Sequence, residues 1–273
     1  MFGEYKIAQL VNILYFTSLV QSAVQLEKRQ STSKFSGDVR HKVKMGEANV
    51  GCDDGVNTLA VDWFDSPLNY TCYHPTTPLL PTSSLRPQIE CTNPPSDYSP
   101  RHFCMNQVIT YNTTVPTHGD HRPIWPKFGE YRYFTALQIV NFYLICTGRF
   151  VPVQRWLHNI EHGAVVMLYH PCTHPATVDK LRRIVRGCIR KHIITPYTNL
   201  PEDRPLALVA WGCRLLMSDI DPGQVRKFIK SYGLKGPEGS YPEEGQYVHE
   251  LLHLAEAPPG SDMNDTKLCP NIP

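Results

Sequence analysis

The sequence predicts an α/β domain: a small layered structure with a mixed sheet, joined to a loop-rich, disulfide-linked N-terminal half. Apolar runs typical of buried strands alternate with segments of helical periodicity between residues 160 and 235. The region from Cys52 to Trp125 is instead dense in proline, cysteine and aromatic residues. The apolar fraction of 41% can fill a core, and a net charge of only +2 gives no general reason to expect nucleic acid binding.

The N-terminus has the pattern of a secretory signal. Lys6 precedes the mostly apolar stretch from Ile7 to Val20, and Gln21-Ser22-Ala23 offers a cleavage site of small residues. We therefore predict a signal peptide over residues 1–23, with an ordinary N-terminal helix as the alternative. Residues 24–50 are polar and lack periodicity, so we predict a disordered linker there.

Cysteine usage and glycosylation patterns favour the same route. The nine cysteines form no CxxC pair, which argues against zinc ribbons and thioredoxin-type motifs. Dispersed cysteines in an exported chain usually form disulfides. Glycosylation sequons begin at Asn69, Asn112 and Asn264. We predict a glycoprotein of the secretory pathway, extracellular or membrane-associated, with no bilayer-spanning run after the signal segment.

The proline-rich half indicates short strands and turns held by disulfides. Cys91 and Cys104 could close a small loop, although spacing does not fix which cysteines pair. The apolar segment Phe134 to Phe150 stands apart because it lacks proline and acidic residues. We predict that residues 134–150 are an insertion, and the alternative is a buried strand or helix.

The regular elements begin after the glycine at position 163. Residues 164–169 and 206–211 are predicted to be buried strands. A helix is predicted after the first of them, with Pro175 in its first turn and an apolar face continuing as far as His192. A second helix is predicted to start at Asp221-Pro222-Gly223-Gln224 and to stop near Gly233.

The most informative stretch for chemistry is His158-Asn159-Ile160-Glu161-His162-Gly163. On a helix, the imidazoles of His158 and His162 would lie about 5–6 Å apart at Cβ, close enough to share a metal. On a strand they would lie about 13 Å apart. The pattern matches inverted zinc proteases, in which Glu161 would activate water, but that reading needs a sustained helix. A short helix from about Pro152 to His162 is compatible with the sequence.

A looser metal site has further support upstream. Thr117-His118-Gly119-Asp120-His121 adds two imidazoles and a carboxylate, and His170 and His174 flank Cys172. Neutral imidazoles suit zinc, copper or iron. The alternative is a buried hydrogen-bonded network in which Glu161 and His162 hold the turn at Gly163. Cys172 could be a nucleophile beside these histidines, but a disulfide is the favoured interpretation.

Three sequence blocks resemble one family. They are the block from Pro116 to Trp125, the Gly129-Glu130-Tyr131 element, and the block from Trp156 to Val166. Together they closely resemble the DUF3105 family, a domain of unknown function. The resemblance implies a family domain over residues 51–257, with a C-terminal tail at 258–273 and the insertion at 134–150 inside the domain. Vertebrate members resemble single-pass membrane proteins, so a chain without such a span is expected to be secreted or truncated.

The resemblance implies no established reaction. The matching polar positions are His121, His158, Glu161 and His162. We expect an ectodomain that binds a protein partner or a metal ion, zinc or copper, at these residues and that is linked to growth control. The alternatives are a metal-dependent hydrolase with Glu161 as its base and a purely structural role for the motif.

Overall fold

The part of the protein that the structure describes folds around a mixed sheet. A computed structural model describes residues 45–63, 79–82, 84–131, 150–239 and 244–270. The predicted signal peptide, most of the predicted linker, residue Asn69 and nearly all of the predicted insertion lie outside these residues. Within them, the strands are β1 (Gln88–Cys91), β2 (Gly129–Tyr131), β3 (Val165–Tyr169), β4 (His192–Pro196), β5 (Leu206–Ala210), β6 (Cys213–Met217) and β7 (Leu251–Leu254). The helices are α1 (Val153–Glu161), α2 (Pro175–Arg186) and α3 (Pro222–Tyr232).

The seven strands lie in the order β1-β6-β5-β3-β4-β2-β7. Strand β4 runs parallel to both β3 and β2, and the other pairs are antiparallel. This arrangement confirms the predicted α/β class with a mixed sheet. Strand β3 lies at the centre and is buried at all five positions. A strand covered on both faces needs a continuous apolar run, which Val165–Tyr169 supplies.

Alternate residues of the central strand face two separate cores. Val165 and Met167 pack with helices α2 and α3, whereas Val166 and Leu168 pack with α1 and with the loop-rich N-terminal half. The division follows from the two-residue period of a strand. The polar motif on α1 therefore faces the loops of residues 45–131 on the side of the sheet opposite to α2 and α3.

The predicted helix ends were partly right. Asp221 caps α3 by accepting from the backbone N–H groups of Gly223 and Gln224, as the sequence predicted. Helix α2 begins at Pro175, but it ends at Arg186, so the predicted continuation to His192 was wrong. Gly187 caps the helix, and the chain then enters β4, a strand that the helical periodicity had concealed.

Disulfides cross-link segments of the domain that are distant in sequence. Cys91 pairs with Cys213 and Cys104 pairs with Cys52, so the Cys91–Cys104 loop that the sequence left open is not formed. Cys188 pairs with Cys269. Cys172 is also disulfide-bonded, which agrees with a structural role and not with a nucleophile. Such bonds are typical of chains that fold in an oxidising compartment.

The turn between α1 and β3 requires a glycine. Gly163 has a φ of +83°, and a Cβ atom there would lie 2.8 Å from the Cα of Leu234. Only glycine combines left-handed backbone geometry with such a close approach at little cost. This turn fixes where α1 ends and therefore where the carboxylate of Glu161 and the ring of His162 lie. In the described part of the chain, no helix combines the length and apolar character needed to cross a bilayer.

Candidate metal centre

Helix α1 is short and almost entirely buried. Its apolar residues Trp156, Leu157 and Ile160 face the core beneath the sheet. Its polar residues are also enclosed: Arg155, His158, Asn159 and Glu161 are each no more than 4% exposed. A nine-residue helix is marginal on its own, so tertiary contacts must stabilise it. The sequence alternative in which these residues form a strand is excluded.

Two buried arginines attach this helix to the loops around it. Arg155 makes two hydrogen bonds to the carboxylate of Asp53, at 2.7 and 2.9 Å, and lies 3.3 Å from Asp62. Arg122 pairs with the other oxygen of Asp62 at 2.9 Å. Since all four charges are buried, each must have a partner. The network therefore holds together α1, the loops that contain Asp53 and Arg122, and the short 3-10 helix Leu59–Trp63 that contains Asp62.

The tautomers of two histidines follow from this packing. Nδ1 of His158 lies 2.6 Å from the backbone oxygen of Arg122, and Nδ1 of His121 lies 2.8 Å from that of Gly119. A carbonyl can only accept, so Nδ1 must be the donor in both rings. When neutral, each ring then carries a lone pair at Nε2. The Nε2 atom of His158 is buried with no hydrogen-bond partner.

These lone pairs converge with two further donors. Nε2 of His121 lies 3.0 Å from a carboxylate oxygen of Glu161 and 3.2 Å from Nε2 of His102. One ligand atom from each of His102, His121, His158 and Glu161 lies within 4.8 Å of the others. The ligand atoms of a tetrahedral zinc ion, each bound at 2.0–2.1 Å, are expected to lie about 3.3–3.5 Å from one another. The group is thus somewhat expanded relative to a loaded zinc site.

His162 lies beside this group but does not supply one of its four donor atoms. Its ring stacks on His158 with centroids 4.8 Å apart, and Nδ1 lies 3.5 Å from a carboxylate oxygen of Glu238. Trp125 packs against both rings, at centroid distances of 4.5 and 4.6 Å. The i, i+4 spacing therefore brings the two imidazoles together, while their nitrogen atoms face different carboxylates.

The histidines away from α1 have local roles. His170 accepts the backbone N–H of Cys172, and His174 caps α2 by accepting that of Ala176. Nδ1 of His118 lies 3.2 Å from the hydroxyl of Thr92, outside the four-residue group. Sequence reasoning missed His102. No recognisable spacing links it to the other ligands, and the isolated bridge between residues 102 and 121 brings its ring to His121.

Burial favours the neutral form of His158, His102 and His162. It lowers the pKa of His158 well below its usual range, and the neighbouring rings of His121, His162 and His102 lower it further. Burial also lowers the pKa of His102 to about 4 and that of His162 to about 4. Metal ions bind neutral imidazole, so a lowered pKa leaves the ring available at neutral pH.

The same burial predicts acid sensitivity of the metal-free protein. His192 in β4, distant from α1 in sequence, is 2% exposed and has a pKa lowered to about 4 by burial. A depressed folded pKa gives stability that is complete above the ordinary value of about 6.5 and is lost as pH falls towards 4. His192 alone accounts for about 3 kcal/mol of this loss. Urea unfolding with a chelator at pH 7.5, 5.5 and 4.5 measures it; equal stability at the three values would contradict the prediction.

Comparisons with known proteins place the chain in a family. The model of the family described as "Protein of unknown function (DUF3105)" matches residues 102–246, slightly more than half of the chain. Tumor protein p53-inducible protein 13 of Rattus norvegicus is 36% identical over 66 residues, which cover 24% of this chain and 17% of the relative. The Mus musculus protein of that name is 35% identical over the same length and shares of each chain.

The chain therefore matches less than a fifth of the length of these curated relatives. No solved structure matches it. The family match covers all four residues of the candidate metal group, from His102 to Glu161, and continues through strand β6 and helix α3. On this evidence the chain belongs to the DUF3105 family of proteins of unknown function.

Proposed function

We propose that the protein is a disulfide-linked domain of the secretory pathway that binds one divalent transition metal ion at His102, His121, His158 and Glu161. The observation that carries the proposal is the orientation of His121 and His158. Each ring donates Nδ1–H to a backbone carbonyl and directs Nε2 towards the other donors. Metal-binding histidines are characteristically oriented by such a hydrogen bond on the second nitrogen.

The contact between His121 and Glu161 needs a positive charge. With Nδ1 acting as a donor, a neutral His121 directs a lone pair at the carboxylate oxygen 3.0 Å away. A metal ion between the two groups would remove that repulsion, and so would a second proton on His121. The buried Nε2 of His158 favours the metal, because a proton shared by His121 and Glu161 leaves that atom without a hydrogen-bond partner.

The donor set supports zinc or copper. Three imidazole nitrogens and one carboxylate oxygen suit these ions, whereas calcium and magnesium prefer oxygen ligands. Four protein donors are typical of a closed, structural zinc site. Glu161 lies among the donors, so binding is better supported than the alternative of a hydrolase that uses Glu161 as a free base.

The name of the rodent relatives refers to induction by p53. We propose that a secreted metal-binding domain of this family acts in growth control and binds a protein partner. The predicted signal peptide and the glycosylation sequons support this context. Asn112 and Asn264 are the sequon asparagines within the described residues, and both are exposed.

Metal analysis of the secreted protein tests the proposal. We expect protein purified from the medium of eukaryotic cells, without chelators, to contain about one zinc or copper ion per chain by inductively coupled plasma mass spectrometry. Dialysis against a chelator should remove the ion, and titration should restore it with the same stoichiometry. Protein that contains no stoichiometric metal and takes up none on titration would overturn the proposal.

A further inference from the structure

His102 differs from the other three members of the group. His121, His158 and Glu161 are no more than 4% exposed, whereas His102 is half-buried. It also lies in a loop, so neither a helix nor a long strand fixes its position. Whatever holds this loop against the rest of the site therefore decides whether the fourth donor is available.

Three sets of hydrogen bonds hold the loop of His102. Before it, Arg101 donates from its backbone N–H and from its guanidinium to the carboxylate of Asp120. The backbone of residues 101–103 pairs with His121: His121 donates to the oxygen of Arg101 at 3.1 Å, and Phe103 donates to the oxygen of His121 at 2.9 Å. After His102, the guanidinium of Arg122 donates to the backbone oxygens of Phe103, Cys104 and Gln107. These contacts are hydrogen bonds that a loop can lose and regain.

The covalent attachment is the disulfide between Cys104 and Cys52. It leads directly to the site helix. Cys52 precedes Asp53, whose carboxylate is held by Arg155 of α1, and the backbone oxygen of Cys52 accepts the N–H of Met105 at 2.9 Å. A continuous connection thus runs from the loop of His102, through the disulfide and the Asp53–Arg155 pair, to the helix that carries His158 and Glu161.

We propose that the Cys52–Cys104 disulfide is a positioning element of the metal centre, which makes full metal affinity conditional on oxidation of this cysteine pair. The inference rests on the proposed metal-binding function. Reduction by a dithiol transfers two electrons and two protons to the two sulfur atoms, the S–S bond breaks, and the dithiol closes to a disulfide. The loop of His102 then loses its covalent link to the segment that carries Asp53, and three donors remain in place. Both cysteines are partly exposed, so a reductant can reach the bond.

The proposal implies that oxidation of the disulfide precedes tight metal binding during folding. A chain in a reducing compartment would bind the ion weakly, and it would gain the fourth ligand only after oxidation in the secretory pathway. By linkage, the bound ion should in turn protect the disulfide from reduction. Both effects concern His102 and leave His121 and His158 oriented by their backbone carbonyls.

The test uses a double-mutant cycle on the full chain. The four proteins are wild type, Cys52→Ala/Cys104→Ala, His102→Ala and the combined variant, with zinc affinity measured by competition with a chromogenic chelator. A matched control, Cys91→Ala/Cys213→Ala, removes a disulfide that joins β1 to β6, where four pairs of residues still hold the strands together. Circular dichroism checks that each variant is folded.

We expect Cys52→Ala/Cys104→Ala to weaken zinc binding by about 10–100-fold, as loss of orienting contacts does at metal sites. In the His102→Ala background the same change should have little further effect, because both act through one ligand. Wild-type affinity in the cysteine variant, an equal loss in the control, or an undiminished loss without His102 would overturn the inference. If wild type itself binds no zinc or copper, the proposed function fails as well, and the two failures are distinguishable.

Discussion

Replacing His158 by glutamine should abolish metal binding, whereas the same change at His162 should not. His158 is fully buried, its Nδ1 donates to the oxygen of Arg122, and its Nε2 faces the other donors. The glutamine amide can still donate to that carbonyl, so the local fold has a substitute for one contact. It offers no imidazole nitrogen to the ion, and we expect the metal content to fall below about a tenth of the wild-type value.

His162→Gln is the informative partner of this experiment. The sequence pattern treats the two histidines as equivalent ligands, and only the tertiary structure separates them. Because the ring of His162 faces Glu238 and not the four-donor group, we expect the variant to retain stoichiometric metal. Mass spectrometry for metal content, with near-ultraviolet circular dichroism for the fold, measures both variants. Equal loss of metal in the two would restore the ligand set predicted from sequence, with His162 included.

Replacing Arg155 by methionine should cost about 3–5 kcal/mol of unfolding free energy, the range observed when one partner of a buried ion pair is removed. Methionine fills a similar volume, so the cost comes from the carboxylates left behind. Asp53 would keep only its backbone donors, from Gly55 and Ile124. Asp62 would keep Arg122. A typical domain is stable by only about 5–15 kcal/mol, so the variant should be close to unfolding at 37 °C.

The control for this prediction is Arg183→Met on α2. Arg183 pairs with Asp179 at 3.2 Å, but the two side chains are 73% and 47% exposed. Surface pairs of this kind contribute less than about 1 kcal/mol. Urea unfolding in the presence of a chelator separates fold stability from metal binding. If Arg155→Met costs no more than Arg183→Met, the buried network does not hold α1 against the N-terminal loops.

Sequence periodicity predicted those parts of the fold that depend on near neighbours. The central strand β3 follows from an uninterrupted apolar run, and the start of α3 follows from a capping aspartate ahead of Pro222. The edge elements were not predictable in the same way. Strand β2 has three residues and β7 is mostly exposed, so neither carries a long apolar pattern. Strand β4 was not predicted, because Cys188, Ile189 and the first residue of the strand, His192, continue the helical period of α2.

The candidate site likewise contains residues that local sequence predicts and a residue that only distant contacts place there. Local residue patterns and the family resemblance identified His121, His158, Glu161 and His162 as candidates. The first three of these lie together in the four-donor group, on α1 and the adjacent loop. His102 could not be found from sequence, because its inclusion depends on a bridge to His121 and on a disulfide to Cys52. Its only local signal is an isolated histidine in a proline-rich region, which is shared by many surface residues.

By itself, the sequence determined the α/β class and the family. Around His158 it left two alternatives, a helix or a strand, and the two have different consequences for metal binding. The tertiary structure decided which outcome holds, which cysteines pair, and which imidazoles lie together. The physical reason is that helices and strands are encoded by contacts a few residues apart. The candidate metal group instead depends on backbone carbonyls, buried ion pairs and a disulfide that join segments distant in the chain.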